Sequence, residues 1–294
     1  MDTLSLRLFL RVADLGGVAA AARDLSLSPA SASARLAKLE ENVGFRLFNR
    51  TTRAVSLTTD GAAFLPYAQQ TIETLQAGLG AVSGQGEAAK GLLRMTMPGS
   101  FGRMHIIPAL AEFQARYPRV SLDLRLSDEV LDVVEGAYDL IIRNAQLADS
   151  SLVARKLATD HRLLVASPSY VETHGMPETP EGLSAHQCVV FPGTNRWKFE
   201  NGRIIEPPRT FVVNDGEAMR YMIESGLGVG MKSLWNAGES LKAGRLIEVL
   251  PDYPLTTESD IWALYPSGRI VAPKVRAMID FLLELFSPVP SWER

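Results

Sequence analysis

Residues 16–59 read GGVAAAARDLSLSPASASARLAKLEENVGFRLFNRTTRAVSLTT. Two short helical segments, joined by a tight polar turn, precede a basic, hairpin-like segment. The order predicts a winged helix-turn-helix, a device that sets one helix in the major groove of DNA. The rest of the chain is then read as whatever controls that contact.

Ser28-Pro29 opens the second helix. A serine hydroxyl accepts from the open amides of a first helical turn, and proline suits a position where no amide partner is lost. Ala32, Leu36, Leu39 and Val43 recur at spacings of 4, 3 and 4, which is one apolar stripe. Ser31, Arg35 and Lys38 fall on another face. Small residues at its tip let the backbone approach base edges, and cations further along reach phosphates or guanine edges. The expected DNA-contacting set is Ser28, Pro29, Ala30, Ser31, Ser33, Arg35 and Lys38, joined by Arg50, Thr51 and Arg53 from the wing. An amphipathic helix with two cations is, by itself, equally an ordinary solvated helix. The Ser-Pro start, the alanine-rich partner Val18–Leu25 and three arginines within residues 46–53 together single out DNA.

These residues closely resemble the N-terminal domain of LysR-type transcriptional regulators. The resemblance rests on Ala20-Ala21-Ala22-Arg23-Asp24-Leu25, Ser28-Pro29-Ala30, Ser33, Leu39-Glu40, Leu47 to Arg53, Leu57-Thr58 and Gly61. It continues through Gly91 to Arg94, Pro108, Phe113, Tyr117-Pro118, Asp139-Leu140, Gly226 to Gly230, Gly244-Arg245-Leu246 and Tyr265-Pro266. Ser100-Phe101-Gly102 and the Trp197 region resemble the CrgA-like branch of that family. One departure is Ala34, where the family often carries a long polar residue. The resemblance implies an α/β protein with an N-terminal winged helix-turn-helix, a linker helix and a two-lobed effector domain like periplasmic binding proteins. It implies a double-stranded DNA operator, a small-molecule effector, a homodimer or homotetramer and contact with RNA polymerase.

Composition fits this division of labour. Residues 1–58 carry eight Lys/Arg against five Asp/Glu, a net of +3; the remainder carries 22 against 28, a net of −6. Positive charge thus sits where phosphate is met, and negative charge elsewhere limits indiscriminate binding. Cys188 is the single cysteine, so an internal disulfide is excluded, and its apolar neighbours predict a core position. Arg7 and Arg11 interrupt the first apolar stretch, which argues against a signal peptide. No apolar run approaches the roughly 18 residues of a membrane span. A cytoplasmic location, with no membrane partner, is expected.

Thr59 is the expected cap of a long helix. Phe64, Ala68, Ile72, Leu75, Leu79 and Val82 form a coiled-coil-like seam along it. The pattern fits a dimer interface or packing on the helix's own domain; the resemblance implies the dimer. Glycines crowd its end, so residues 83–91 read as a hinge. The expected divisions are 1–58 for DNA binding, 59–90 for linker and hinge, and 91–294 for effector binding. Lobe one takes about 91–162 and 267–294, and lobe two about 163–266.

Past Gly91, alternation of apolar strands (92–97, 120–126, 138–143) with helices (104–117, 130–135) predicts a parallel sheet. Ligands of such sheets sit beyond the strands' carboxyl ends, and helix N-termini there attract anions. The expected effector residues are Ser100, Phe101, Ser127, Arg143, Asn144, Trp197, Asn214 and Asp215, around a small organic acid. Each has a plainer reading. Ser100, Ser127 and Asn214 are equally helix caps, Arg143 a partner of Asp139, and Trp197 lobe core.

Two rivals carry less. A nucleotide-dependent enzyme rests only on Gly226-Leu227-Gly228-Val229-Gly230, which follows a helical segment rather than a strand. His105, His161, His174 and His186 have no metal-ligand spacing, so no metal, cofactor or catalytic residue is expected. A plain solute-binding protein leaves the N-terminal segment unexplained.

Overall fold

Asp2 starts the first helix: its carboxylate accepts from the Ser5 amide at 2.8 Å. Helix α1 runs Thr3–Leu15, and Gly16 ends it in the left-handed region with φ 66°. The computed structural model describes residues 2–50, 55–83, 89–128, 138–146, 152–193, 196–257, 259–266 and 271–294. The chain falls into two units, one of residues 1–88 with 269–273 and one of residues 89–268 with 274–294.

In the first unit, α2 (Val18–Asp24) and α3 (Pro29–Val43) follow α1. Arg11 ties α1 to α2 through Asp24, at 2.7 and 2.8 Å. Ala21 and Ala22 are fully buried with Phe9, Val12, Ala32 and Leu36. Their small side chains let the helices approach closely, as the motif needs. The ribbon of β1 (Phe48–Arg50) and β2 (Val55–Leu57) is antiparallel. Glu40 anchors it by accepting from the Leu47 and Phe48 amides at 2.9 and 3.2 Å.

Helix α4 (Thr59–Ser83) is capped one residue earlier than expected. The Thr58 hydroxyl accepts from the Gly61 amide at 2.9 Å and donates to the Arg46 carbonyl. Gly61 is obligatory here, because an added Cβ would lie 2.0 Å from the Leu47 carbonyl oxygen. The seam of α4 divides. Phe64, Ala68 and Ile72 pack on the unit's own core, while Leu75 is 43% exposed. The side chains of Leu79 and Val82, and hinge residues 84–88, lie outside the described residues.

The second unit holds two five-stranded sheets. The first orders β4 (Val120–Leu126), β3 (Gly91–Met97), β5 (Leu140–Ala145), β14 (Asp260–Pro266) and β6 (Leu152–Thr159). Strand β3 runs parallel to β4 and β5, but β14 is antiparallel to β5 and β6. The sheet is therefore mixed rather than parallel, because the chain returns to it from the other lobe. Helix α10 (Pro273–Phe286) closes this lobe through Lys274 on Asp139, 3.0 Å, and Phe281 on Phe113.

The helix expected from Met104 instead begins directly after β3. Helix α5 (Gly99–Phe101) continues through a π turn at Gly102–Ile106 and a 3-10 turn at Ile107–Ala109 into α6 (Leu110–Arg116). Pro108 lacks the amide an uninterrupted α-helix needs. The helix expected at 130–135 lies outside the described residues.

The second sheet orders β11 (Phe211–Val212), β8 (Cys188–Val190), β12 (Val229–Ser233), β7 (Arg162–Ala166) and β13 (Ile247–Val249). Around it stand α7 (Pro168–His174), α8 (Gly216–Glu224), α9 (Leu234–Lys242) and the ribbon β9 (Trp197–Lys198) with β10 (Ile204–Ile205). Strand alternation serves a core on each face. Leu164 and Ala166 join Cys188 and Trp197 on one side; Val165 and Val189 join Met219 and Ile223 on the other. Trp197, 1% exposed, packs in the lobe core. Burial pushes the Cys188 thiol up to about 12, so it stays protonated.

The chain leaves the first lobe at Asp160-His161, between β6 and β7. It returns between β13 and β14, and β14 (Asp260–Pro266) pairs within the first lobe's sheet.

Candidate DNA face and interlobe cleft

Helix α3 begins as the sequence dictates. The Ser28 hydroxyl accepts from the Ser31 amide at 3.2 Å, and Pro29 takes the first helical position. Ser28, Pro29, Ala30, Ser31, Ser33 and Lys38 are exposed on the first unit. Arg35 is half exposed but engaged: its Nη1 donates to Asp2 Oδ2 at 3.3 Å. The same Asp2 carboxylate caps α1, so it serves two helices. Arg46 is exposed at the base of the ribbon. The Arg50 side chain and the wing residues Thr51 and Arg53 lie outside the described residues.

Between the lobes, the strand ends bring together some predicted residues and not others. Ser100 sits in α5, 2% exposed, beside the first residue of α8: a Cβ added to Gly216 would lie 2.9 Å from the Ser100 Oγ. Phe101 points away into an aromatic cluster, with ring centroids 5.1 Å from Trp235, 5.2 Å from His105 and 5.8 Å from Phe286. Its contact with Trp235 joins the two lobes. His105 Nε2 lies 2.9 Å from the Trp235 carbonyl, and burial holds this imidazole below its usual range.

Ser127 is half-buried and its amide donates to the Met97 carbonyl; its neighbour Asp128 does more. Asp128 Oδ1 accepts from the Gly99 amide at 2.9 Å, and Oδ2 from the Gly216 amide at 3.3 Å. One carboxylate of the first lobe thus bridges to the second. Arg143 donates to the Ile142 carbonyl, and burial lowers its pKa against the opposing field of Asp128. Asp139, its alternative partner by sequence, instead accepts from the Arg94 amide and meets Lys274. Asn214 is exposed. Asp215 caps α8, accepting from the Glu217 and Ala218 amides at 2.9 and 2.7 Å. That helix start already holds a carboxylate.

Asn144 reaches the interlobe crossing. Its Nδ2 donates to Asp160 Oδ2 at 3.0 Å. The same oxygen accepts from Arg162 Nε at 2.9 Å and from Ser233 and Ser259, both at 3.2 Å. Asp160 is fully buried. One oxygen therefore ties together residues flanking both crossings, and Oδ1 has no partner among the described residues.

Sequence reasoning missed Asp160, Arg103 and Lys232. Arg103 clamps the rim, its Nε donating to Glu217 of α8 at 2.8 Å. Lys232 is 6% exposed, and its Nζ donates to the Gly216 carbonyl at 2.6 Å. Burial first, then Arg220, depresses its pKa to about 7, against the pull of Asp128 and Asp215. A lysine in the Val-Gly-Met-Lys-Ser strand reads as solvent-facing; only the packing of α8 shows otherwise. Among the described residues, no group of three or more His, Cys, Asp or Glu stands ready to hold a metal, and no helix is long and apolar enough to cross a membrane.

Comparison with known proteins agrees with both halves. Residues 4–62 match the bacterial regulatory helix-turn-helix proteins of the lysR family, and residues 86–287 match the LysR substrate binding domain. The chain is 33% identical over 292 residues to the HTH-type transcriptional regulator DmlR of Escherichia coli K12, covering 96% of this chain and 94% of that protein. It is 31% identical over 284 residues to the regulator CrgA of Neisseria meningitidis serogroup C, covering 95% of each. The solved structure of Neisseria meningitidis CrgA is similar with a TM-score of 0.63 at 29% identity, over 98% of this chain and 99% of that one.

Proposed function

Because this chain belongs to the LysR family of transcriptional regulators, we propose that it reads a specific double-stranded operator through α3 and adjusts that contact through a small, anionic metabolite held between its two lobes. It is a regulator and not an enzyme. Regulators of this family bind DNA and small-molecule effectors and form oligomers.

The observation that carries the operator reading is the start of α3. A serine-capped, proline-led turn presents Ala30, Ser31 and Ser33 to solvent, small enough for the backbone to approach base edges. Arg35 and Lys38 follow as phosphate or guanine contacts, with Arg50, Thr51 and Arg53 from the wing beside the groove. The anionic effector is supported by Ser100, Lys232 and Arg143 near the cleft. The exposed part of the α4 seam supports pairing into a homodimer or homotetramer, which would present two DNA-binding units to two half-sites. RNA polymerase is the partner through which bound protein would act on transcription.

The test is a gel shift on the DNA upstream of the protein's own gene, repeated with a panel of small organic acids. A retarded band that one acid alters supports both parts. A band unmoved by any acid but altered by neutral or cationic metabolites keeps the operator and removes the anion.

A further inference from the structure

Resting on the reading of the cleft as an effector site, we propose that Asp128 is a built-in carboxylate ligand of that cleft, so that an effector's carboxylate binds by taking the place of Asp128 on the amides of Gly99 and Gly216. Three observations converge on this exchange.

First, the amides an incoming carboxylate would seek are already satisfied. Asp128 holds Gly99 N at 2.9 Å in one lobe and Gly216 N at 3.3 Å in the other. It acts as a latch, since one rigid carboxylate bonds to both lobes at once. A ligand with equal hold on latched and unlatched states would shift nothing; one that displaces Asp128 has a differential affinity by construction.

Second, the surroundings hold unspent donors. Ser100 is 2% exposed and carries a hydroxyl donor. It faces Gly216, whose added Cβ would lie 2.9 Å from Ser100 Oγ and 3.9 Å from Lys232 Nζ. Lys232 is 6% exposed and uses one of its ammonium's three N–H groups, on the Gly216 carbonyl. A buried ammonium short of acceptors favours an arriving carboxylate.

Third, the displaced group has somewhere to go. Asp128 is half-buried at the end of β4, and the electrostatic field of Arg143 already acts on it. Its charge need not be stranded when the ligand takes the amides.

The experiment uses the full chain. Hydrogen exchange is followed in peptides containing Gly99 and Gly216, and succinate is titrated calorimetrically into the parent, Asp128→Asn, Asp128→Ser and Asp128→Asn/Lys232→Met. Both peptides should exchange faster in Asp128→Asn and Asp128→Ser. Succinate should bind these variants at least ten times more tightly than the parent, and Lys232→Met should abolish the gain. Absence of binding by Asp128→Asn and Asp128→Ser overturns the proposal. So does a gain that survives Lys232→Met. If succinate protects both peptides but binds parent and variants equally, the cleft stands and the exchange is refuted. If succinate binds and protects neither peptide, the cleft reading itself fails.

Discussion

The Asp2 carboxylate holds Arg35 of α3 at 3.3 Å while capping α1 through the Ser5 amide at 2.8 Å. The backbone bond from Ser5, followed by the Ser5 hydroxyl and the Arg35 charge, keeps this carboxyl below its usual range. At neutral pH a negative charge therefore stands beside a residue expected to meet phosphate. Asp2→Asn keeps a good N-cap but removes the charge. It should change the stability of the first unit by less than about 0.5 kcal/mol, tighten DNA binding and leave Arg35 free to turn outward. Arg35→Ala should weaken binding and flatten the logarithmic salt dependence by about one. Anisotropy titrations of labelled DNA across salt concentrations check both; an unchanged slope in Arg35→Ala removes it from the interface.

Replacing the two central seam residues of α4 should have different consequences. Ile72 is 7% exposed within its own unit's core, whereas Leu75 is 43% exposed. Leu75→Glu should shift sedimentation toward monomer with little loss of thermal stability. Ile72→Glu should lower the melting temperature of the DNA-binding unit, because it buries an unpaired charge. Equal effects from both would mean that α4 is not the pairing surface.

Lys232 makes stability depend on pH with a definite sign. Its folded pKa, about 7, lies below the unfolded value of 10.5. Between those values the unfolded chain binds the extra proton, so this lysine's penalty is full below about pH 7 and is relieved as pH rises toward 10.5. Lys232→Met should therefore be more stable than the parent at pH 6 to 7, with the difference shrinking by pH 9. Urea unfolding across that range would refute this if the difference were flat.

At the crossings, Asp160 accepts four hydrogen bonds on one oxygen without exposure to solvent. Asp160→Ala leaves Arg162, Asn144, Ser233 and Ser259 short of an acceptor. A loss of about 3 kcal/mol is expected from breaking such a buried charged network, measured by urea unfolding of the second unit. A loss under about 1 kcal/mol would mean that other acceptors or water replace it.

The legible parts of this chain were those set by local chemistry. Ser28-Pro29 announces its helix because cap and first turn are adjacent in sequence, and Ala32, Leu36 and Leu39 announce its buried face by spacing alone. The cleft was legible only as strand ends. Ser100 and Asp215 stand there, but Asp215 serves its own helix, and Phe101 and Trp197 went to cores because aromatic rings beside polar residues read alike in either role. Asp128 and Lys232 acquire their roles from partners between 16 and 88 positions away, and Asp160 adds partners 16, 73 and 99 positions away to its neighbour Arg162. No local pattern marks them. The pairing of β14 with β5 and β6 is likewise a long-range fact.

The central claim is sequence-specific reading of DNA by the α3 face. Its most direct test is anisotropy of the full chain on its own upstream DNA and on a scrambled fragment, at physiological salt, alongside Arg35→Ala/Lys38→Ala. The parent should bind the operator at about 10 nM or tighter, at least about 1,000-fold above scrambled DNA, with the preference collapsing in the double variant. Equal, weak binding of both fragments by the parent, or a preference that the double variant keeps in full, would contradict it.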